Sequence, residues 1–151
     1  MDNTPMVKYT ATGEWESDLL IKTNTEGFGE FLVDMPESMG GTNQGPMALD
    51  YVLVALIGCA GNAFALLSNR MGFKFDRFHG EAEGWRNPRG AMGEVGVCKH
   101  FCKVKATFRV ETHETQERFE QLCNRIETIC PVIALLSDAG VELEVSWKKG
   151  H

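Results

Sequence analysis

Three short β-prone runs open the chain, Val7–Ala11, Trp15–Thr23 and Phe28–Val33, punctuated by Gly13, Gly27 and Gly29. Runs of this kind broken by glycine predict a three-stranded meander. Met35–Gly45 carries Pro36, Gly40, Gly41, Asn43 and Gly45 and reads as a loop. Pro46 then stands where a helix can begin, because its missing N–H costs nothing at the first helical position. From Met47 to Leu67 the chain is apolar except at Asp50 and Asn62, which predicts a long helix to about Arg70 with Gly72 as its stop. Phe73–Trp85 reads as a strand and Arg86–Gly96 as a loop or hairpin tip. Val97–Val110 has period two, with Cys98, Cys102, Val104, Ala106, Phe108 and Val110 on one side and Lys99, Lys103, Lys105 and Arg109 on the other. Thr115–Ala139 has helical periodicity: Phe119, Leu122, Cys123, Ile126, Ile129, Cys130 and Ile133 form one apolar face. Gly140 suits the helix exit, and Val141–Trp147 alternates as a last strand. The order βββ–α–ββ–α–β predicts an α+β protein, antiparallel sheets packed on two main helices.

Composition narrows the classes. The 151 residues, 43% hydrophobic and 24% charged, suit a single globular domain spanning 1–151. A net charge of −6 supplies no electrostatic reason to bind nucleic acid or an anionic membrane. Five cysteines, an odd number, with no export signal indicate free thiols in a reducing, cytoplasmic setting. The Met47–Leu67 stretch approaches the length of a membrane span, but Asp50, Gly58, Gly61 and Asn62 interrupt it and no Lys or Arg lies between Lys22 and Arg70. It reads as the buried central helix of a soluble protein rather than a membrane partner.

Candidate chemistry rests on sulfur. Cys59 lies mid-helix beside Gly58 and Gly61. Each glycine costs the helix roughly 1 kcal/mol relative to alanine and lets a backbone or ligand approach closely. A cysteine so placed is either a small apolar filler or a reactive thiol, and the residues alone leave both open. Cys130 stands directly before Pro131 inside a helical pattern. Proline must kink or restart the helix there, and a restart makes Cys130 the N-cap, where the positive helix end should lower its pKa. Cys98, His100 and Cys102 share strand parity, but ligands stacked along one strand converge poorly, so no metal site is expected.

Gly41-Thr42-Asn43-Gln44-Gly45-Pro46-Met47-Ala48-Leu49-Asp50, running into Val54-Ala55-Leu56-Ile57-Gly58-Cys59, resembles the signature helix of the OsmC/Ohr family. So does Cys130-Pro131-Val132 followed by Ala139-Gly140-Val141 and a terminal strand. The resemblance covers essentially the whole chain. It implies an intertwined homodimer with two active sites at the interface and no cofactor. It implies reduction of organic hydroperoxides, with Cys59 peroxidatic, Cys130 resolving and an external dithiol as reductant. The chemistry is that of a thiolate oxidised to sulfenic acid and then captured as a disulfide. The family also places an Arg and a carboxylate beside the first cysteine. Asp50 stands at the carboxylate position, where Glu is usual. Nine residues along a helix is about 13.5 Å, so Asp50 cannot reach Cys59 of its own helix and would serve a partner's site or orient a cation. No Arg precedes Arg70, and the N-terminal region offers only Lys8 and Lys22. The same fold could instead serve as a non-catalytic binder of a small apolar or lipid-like ligand, or as a purely structural dimer.

Overall fold

The computed structural model describes residues 4–151. They fall into two compact units, one ending at Tyr51 and one running from Val52 to His151. The first unit holds a three-stranded antiparallel sheet, β1 (Ala11–Ser17), β2 (Leu20–Thr25) and β3 (Gly29–Val33), in that order. The meander is as expected, but its strands are displaced. Val7–Thr10 lies outside β1, and the run Trp15–Thr23 is divided by a turn. Asp18 takes a left-handed conformation (φ 47°), and its carbonyl accepts the Trp15 indole N–H at 3.1 Å. Aspartate tolerates this region better than most residues, so Ser17-Asp18-Leu19 turns where apolar patterning alone reads straight on. Gly13 sits inside β1 and pairs with Thr23.

The loop between β3 and the long helix is organised by one buried carboxylate. Asp34 accepts the Met35 N–H at 2.8 Å through one oxygen. Through the other it accepts the Thr42 N–H at 3.2 Å, the Thr42 hydroxyl at 2.7 Å and the Gln44 N–H at 3.0 Å. These donors, the Gln44 amide foremost, hold its pKa down at about 2. The glycines are a steric requirement: a Cβ at Gly41 would lie 1.9 Å from the Met35 carbonyl oxygen, and one at Gly45 would lie 2.6 Å from that of Leu32. The helix α1 (Ala48–Met71) follows, two residues after Pro46. Asp50 reaches back to accept the Met47 N–H at 2.9 Å, one half of a capping box. The Tyr51 hydroxyl donates to the Leu32 carbonyl at 2.7 Å.

The second unit contains α1 from Val52 onward and the elements β4 (Arg77–Arg86), α2 (Pro88–Ala91), β5 (Phe101–Glu111), α3 (Gln116–Ile129), α4 (Pro131–Asp138) and β6 (Glu142–Gly150). Its sheet order is β4-β5-β6. β4 and β5 pair antiparallel, whereas β6 lies parallel to β5 because α3 and α4 form the crossover that returns the chain to the starting edge. The α+β class holds, with one parallel pair among antiparallel ones. β4 begins at Arg77 rather than Phe73: the Phe73 N–H bonds back to Ser68 at 2.8 Å and Phe73 is buried.

The core is aromatic. Phe64 of α1 meets Phe73, Phe75, Phe78 and Trp147 at ring separations of 5.9, 5.0, 5.4 and 6.0 Å. Two glycines let α1 settle on β4: a Cβ at Gly61 would lie 3.1 Å from Phe78, and one at Gly80 would lie 2.9 Å from Ile57. On the opposite face of the sheet, Arg109 pairs with Glu81, Lys105 with Glu144, and Lys103 with both Glu142 and Glu144. These exposed pairs use up the cations of β5 and add little stability.

α1 departs from the expectation of a fully buried helix. By length and composition it could cross a membrane. Within the chain only the stripe Leu56, Ala60, Phe64, Leu67 and Ser68 is buried. Val54, Ala55, Gly58, Asn62, Ala65 and Leu66 remain exposed on the other side.

Two outcomes follow from these contacts. Phe64→Ala should lower stability by about 3–5 kcal/mol, read from urea unfolding, because four aromatic partners lose their common contact. The Asp34 carboxyl is more acidic folded than its ordinary value near 3.8. The stability it contributes is therefore present above about pH 4 and disappears as pH falls towards 2. In Asp34→Asn, melting temperature should lose part of its dependence across that acid window; an unchanged acid profile would show that this carboxylate does not couple to folding.

Candidate active site

Proline dictates the geometry of the site. Pro131 cannot continue the hydrogen-bond ladder of α3, so one long predicted helix becomes two with Cys130 between them. Cys130 is extended (φ −72°, ψ 113°), closing α3 with its N–H on the Ile126 carbonyl at 2.9 Å and acting as N-cap of α4. Its carbonyl accepts the Ala134 N–H at 3.1 Å. This is the restart expected from sequence.

The break turns the Cys130 side chain towards α1. Its thiol donates to the Cys59 sulfur, Sγ to Sγ 3.1 Å, across 71 residues of chain. Both thiols are free. A disulfide bond is about 2.05 Å, so roughly 1 Å of closure joins them. Their environments differ: Cys130 is 1% exposed, whereas Cys59 is partly open to solvent.

The expected fall of the Cys130 pKa does not occur. Burial raises it, and the adjacent Cys59 adds to the rise. The amides of Ile133 and Val132 at the start of α4 oppose the shift but form no capping hydrogen bond with the sulfur, and burial outweighs them.

The remaining candidates are placed elsewhere. Asp50 lies in the first turn of α1, engaged with the Met47 amide and nine positions before Cys59. Lys22 pairs with Glu16 at 3.2 Å within the first sheet, and that carboxylate raises its pKa. Cys98, His100 and Cys102 do not share a strand face. β5 begins only at Phe101, and the register slips where Trp85 faces Lys103 but Arg86 faces Phe101. Cys102 is the surplus residue of this bulge, so Phe101 is buried and Cys102 exposed. The Cys98 sulfur rests 3.3 Å from His100 Nδ1, and the same nitrogen lies 2.7 Å from the Phe101 carbonyl. Cys123 is buried in α3, and its pKa is pushed up to about 12 by burial and by Glu127. Asp34 is the residue that sequence reasoning passed over; a lone acid at a strand exit into a glycine-rich loop, whose amides need an acceptor, is the signal for it.

A family model described as OsmC-like protein matches residues 41–146, most of the chain and both cysteines of the pair. No curated protein matches. Among solved structures, an OsmC-like protein from Mycoplasma pneumoniae is similar over 100% of both chains, with a TM-score of 0.81 and 16% identity. An organic hydroperoxide resistance protein OsmC from Legionella pneumophila is similar over 96% of this chain and 99% of its own, with a TM-score of 0.68 and 15% identity. An organic hydroperoxide resistance protein from Elizabethkingia anophelis is similar over 97% of this chain and 99% of its own, with a TM-score of 0.71 and 15% identity. At such identities the structural likeness speaks for the fold, while the family match rests on the sequence itself. This chain belongs to the OsmC family.

Proposed function

We propose that the protein is a thiol peroxidase that reduces organic hydroperoxides through Cys59 and Cys130. The observation that carries this reading is the 3.1 Å approach of a partly exposed sulfur to a buried one. The Cys59 thiolate attacks the terminal peroxide oxygen, the O–O bond breaks, and the alkoxide leaves and takes a proton as the alcohol. Cys59 is then a sulfenic acid. The Cys130 sulfur attacks it, forming the disulfide and expelling hydroxide, which leaves as water with the Cys130 proton. An external dithiol, held reduced in a cytoplasmic setting, exchanges with the disulfide and restores both thiols.

Two relatives of the same fold are organic hydroperoxide resistance proteins, which supports the substrate class. Near the two cysteines in sequence, the exposed positions include the apolar Ala55 and Gly58 on α1 and Ile129 and Leu135 around the α3–α4 joint, together with the polar Glu127 and Thr128. The apolar positions suit an alkyl or aryl peroxide better than hydrogen peroxide. We assign the uncovered stripe of α1 to a homodimer contact. Asp50, too distant along its own helix, then serves the partner's site.

One equivalent of cumene hydroperoxide should remove two thiols per chain and yield a Cys59–Cys130 linkage by mass spectrometry. Cys59→Ser should lower peroxide consumption by at least ~100-fold, and Cys130→Ser should let Cys59 proceed to sulfinic acid. Normal turnover in both variants would overturn the assignment; a lipid-dependent thermal shift with no thiol loss would instead favour a binding protein. Selectivity among the thiols gives a separate check. Buried and with its thiol pKa pushed up to about 12, Cys123 should react with iodoacetamide more slowly than the exposed Cys102 in the folded protein at pH 8.

A further inference from the structure

On the peroxidase reading, Cys59 must react as a thiolate, and its own chain gives it little help. A mid-helix sulfur gains almost nothing from the helix dipole. No charged residue stands between Asp50 and Arg70 on α1. On α4 the sole charge is Asp138, at the far end. On α3 the charges nearest the joint are Arg125, exposed to solvent, and Glu127, an anion whose carboxylate accepts the Trp147 indole N–H at 2.8 Å. Cys123, one helical stretch upstream, stays neutral through burial. The β4 residues against α1 are Phe78 and Gly80, both uncharged, while His79 and Glu81 pair with each other on the outer face. Among the described residues, a single polar hydrogen reaches the Cys59 sulfur, and it belongs to the Cys130 thiol.

We infer that Cys130 acts before oxidation as well as after it, donating its S–H to the Cys59 sulfur and so standing in for the missing cation. Burial sets the direction. When the pair gives up one proton, the negative charge is cheaper on the partly solvated Cys59 than on the sealed Cys130. The proton therefore stays on Cys130, pointing at the thiolate, and a hydrogen bond to an ionised acceptor is about twice as strong as a neutral one. Burial first, and the neighbouring Cys59 after it, raise the Cys130 pKa, in keeping with a proton held on that sulfur. Cys130 is in this sense both resolving thiol and activating donor.

The experiment separates the two jobs by comparing Cys130→Ala, which removes both, with Cys130→Ser, whose hydroxyl can still donate but cannot resolve. Fully reduced proteins are alkylated with iodoacetamide from about pH 5 to pH 10, and the Cys59 peptide is quantified by mass spectrometry. Relative to wild type, Cys130→Ala should slow Cys59 alkylation at neutral pH by ~10-fold and move its midpoint up by about one unit. Cys130→Ser should stay within ~3-fold of wild type. Should Cys130→Ala fail to fold by circular dichroism, Cys130→Val, equally without a donor, takes its place. Superimposable curves for wild type, Ser and Ala, or a Ser variant as slow as Ala, overturn the donor role. Because no peroxide is present, the outcome stands apart from the function proposed above. A wild-type disulfide without a donor effect removes this inference alone. A donor effect without peroxide-driven disulfide removes the peroxidase reading and keeps the donor.

Discussion

The proline after Cys130 is the constraint on which the site depends. A continuous helix through residues 115–139 would leave Cys130 as one more position on an apolar stripe, beside Ile126 and Ile133. With Pro131 the ladder must stop, α3 ends on an extended residue, and α4 starts along a new axis. The residue at such a joint is the one whose side chain both helices leave unclaimed. Here it is a cysteine, and the space it enters is occupied by the sulfur of α1. The glycines of α1 and β4 answer a complementary need: at Gly61 and Gly80 the missing Cβ atoms let the helix that carries Cys59 sit close against the sheet.

Closeness of two sulfurs is not by itself reactivity, and the electrostatics of the pair run against simple intuition. A cysteine at a helix N-terminus is the usual candidate for the low-pKa thiol. In this fold the N-terminal cysteine is the buried one, and the cost of burying charge exceeds what the first-turn amides return. On the proposed reading the charge-bearing role passes to the partly exposed Cys59, even though it sits mid-helix. Helix position read alone points to Cys130, whereas exposure and the direction of the hydrogen bond both point to Cys59.

Much of this was legible in the chain. A long apolar run between Pro46 and Gly72 marks the first helix, helical periodicity marks the region 115–139, and the Cys130-Pro131 pair marks its break. The losses occurred where a local irregularity shifts parity or direction. Val104–Val110 keeps the expected parity, but one surplus residue at Cys102 shifts the parity before it, so Phe101 is buried and Cys102, in phase with Val104 on paper, is exposed. A single left-handed residue at Asp18 cuts an apparently continuous strand in two. The parallel pairing of β6 depends on the crossover, which no property of Val141–Trp147 announces. Asp34 was missed because its role comes from amides that become available only once the glycine-rich loop has closed around it.

The exposed side of α1 ties the fold to its chemistry. Val54, Gly58, Asn62 and Leu66 recur every four residues, a stripe of mostly small or apolar positions that is exposed among the described residues. Cys59 follows Gly58 in the chain, so on the proposed reading whatever covers the stripe lies close to the approach to that sulfur. In the homodimeric reading a second copy supplies that cover. Assembly would then set both the apolar character and the width of the approach, and with them the peroxides that can be reduced. The same cover would lower the local dielectric around the proposed thiolate, which strengthens its dependence on the proton of the Cys130 sulfur 3.1 Å away.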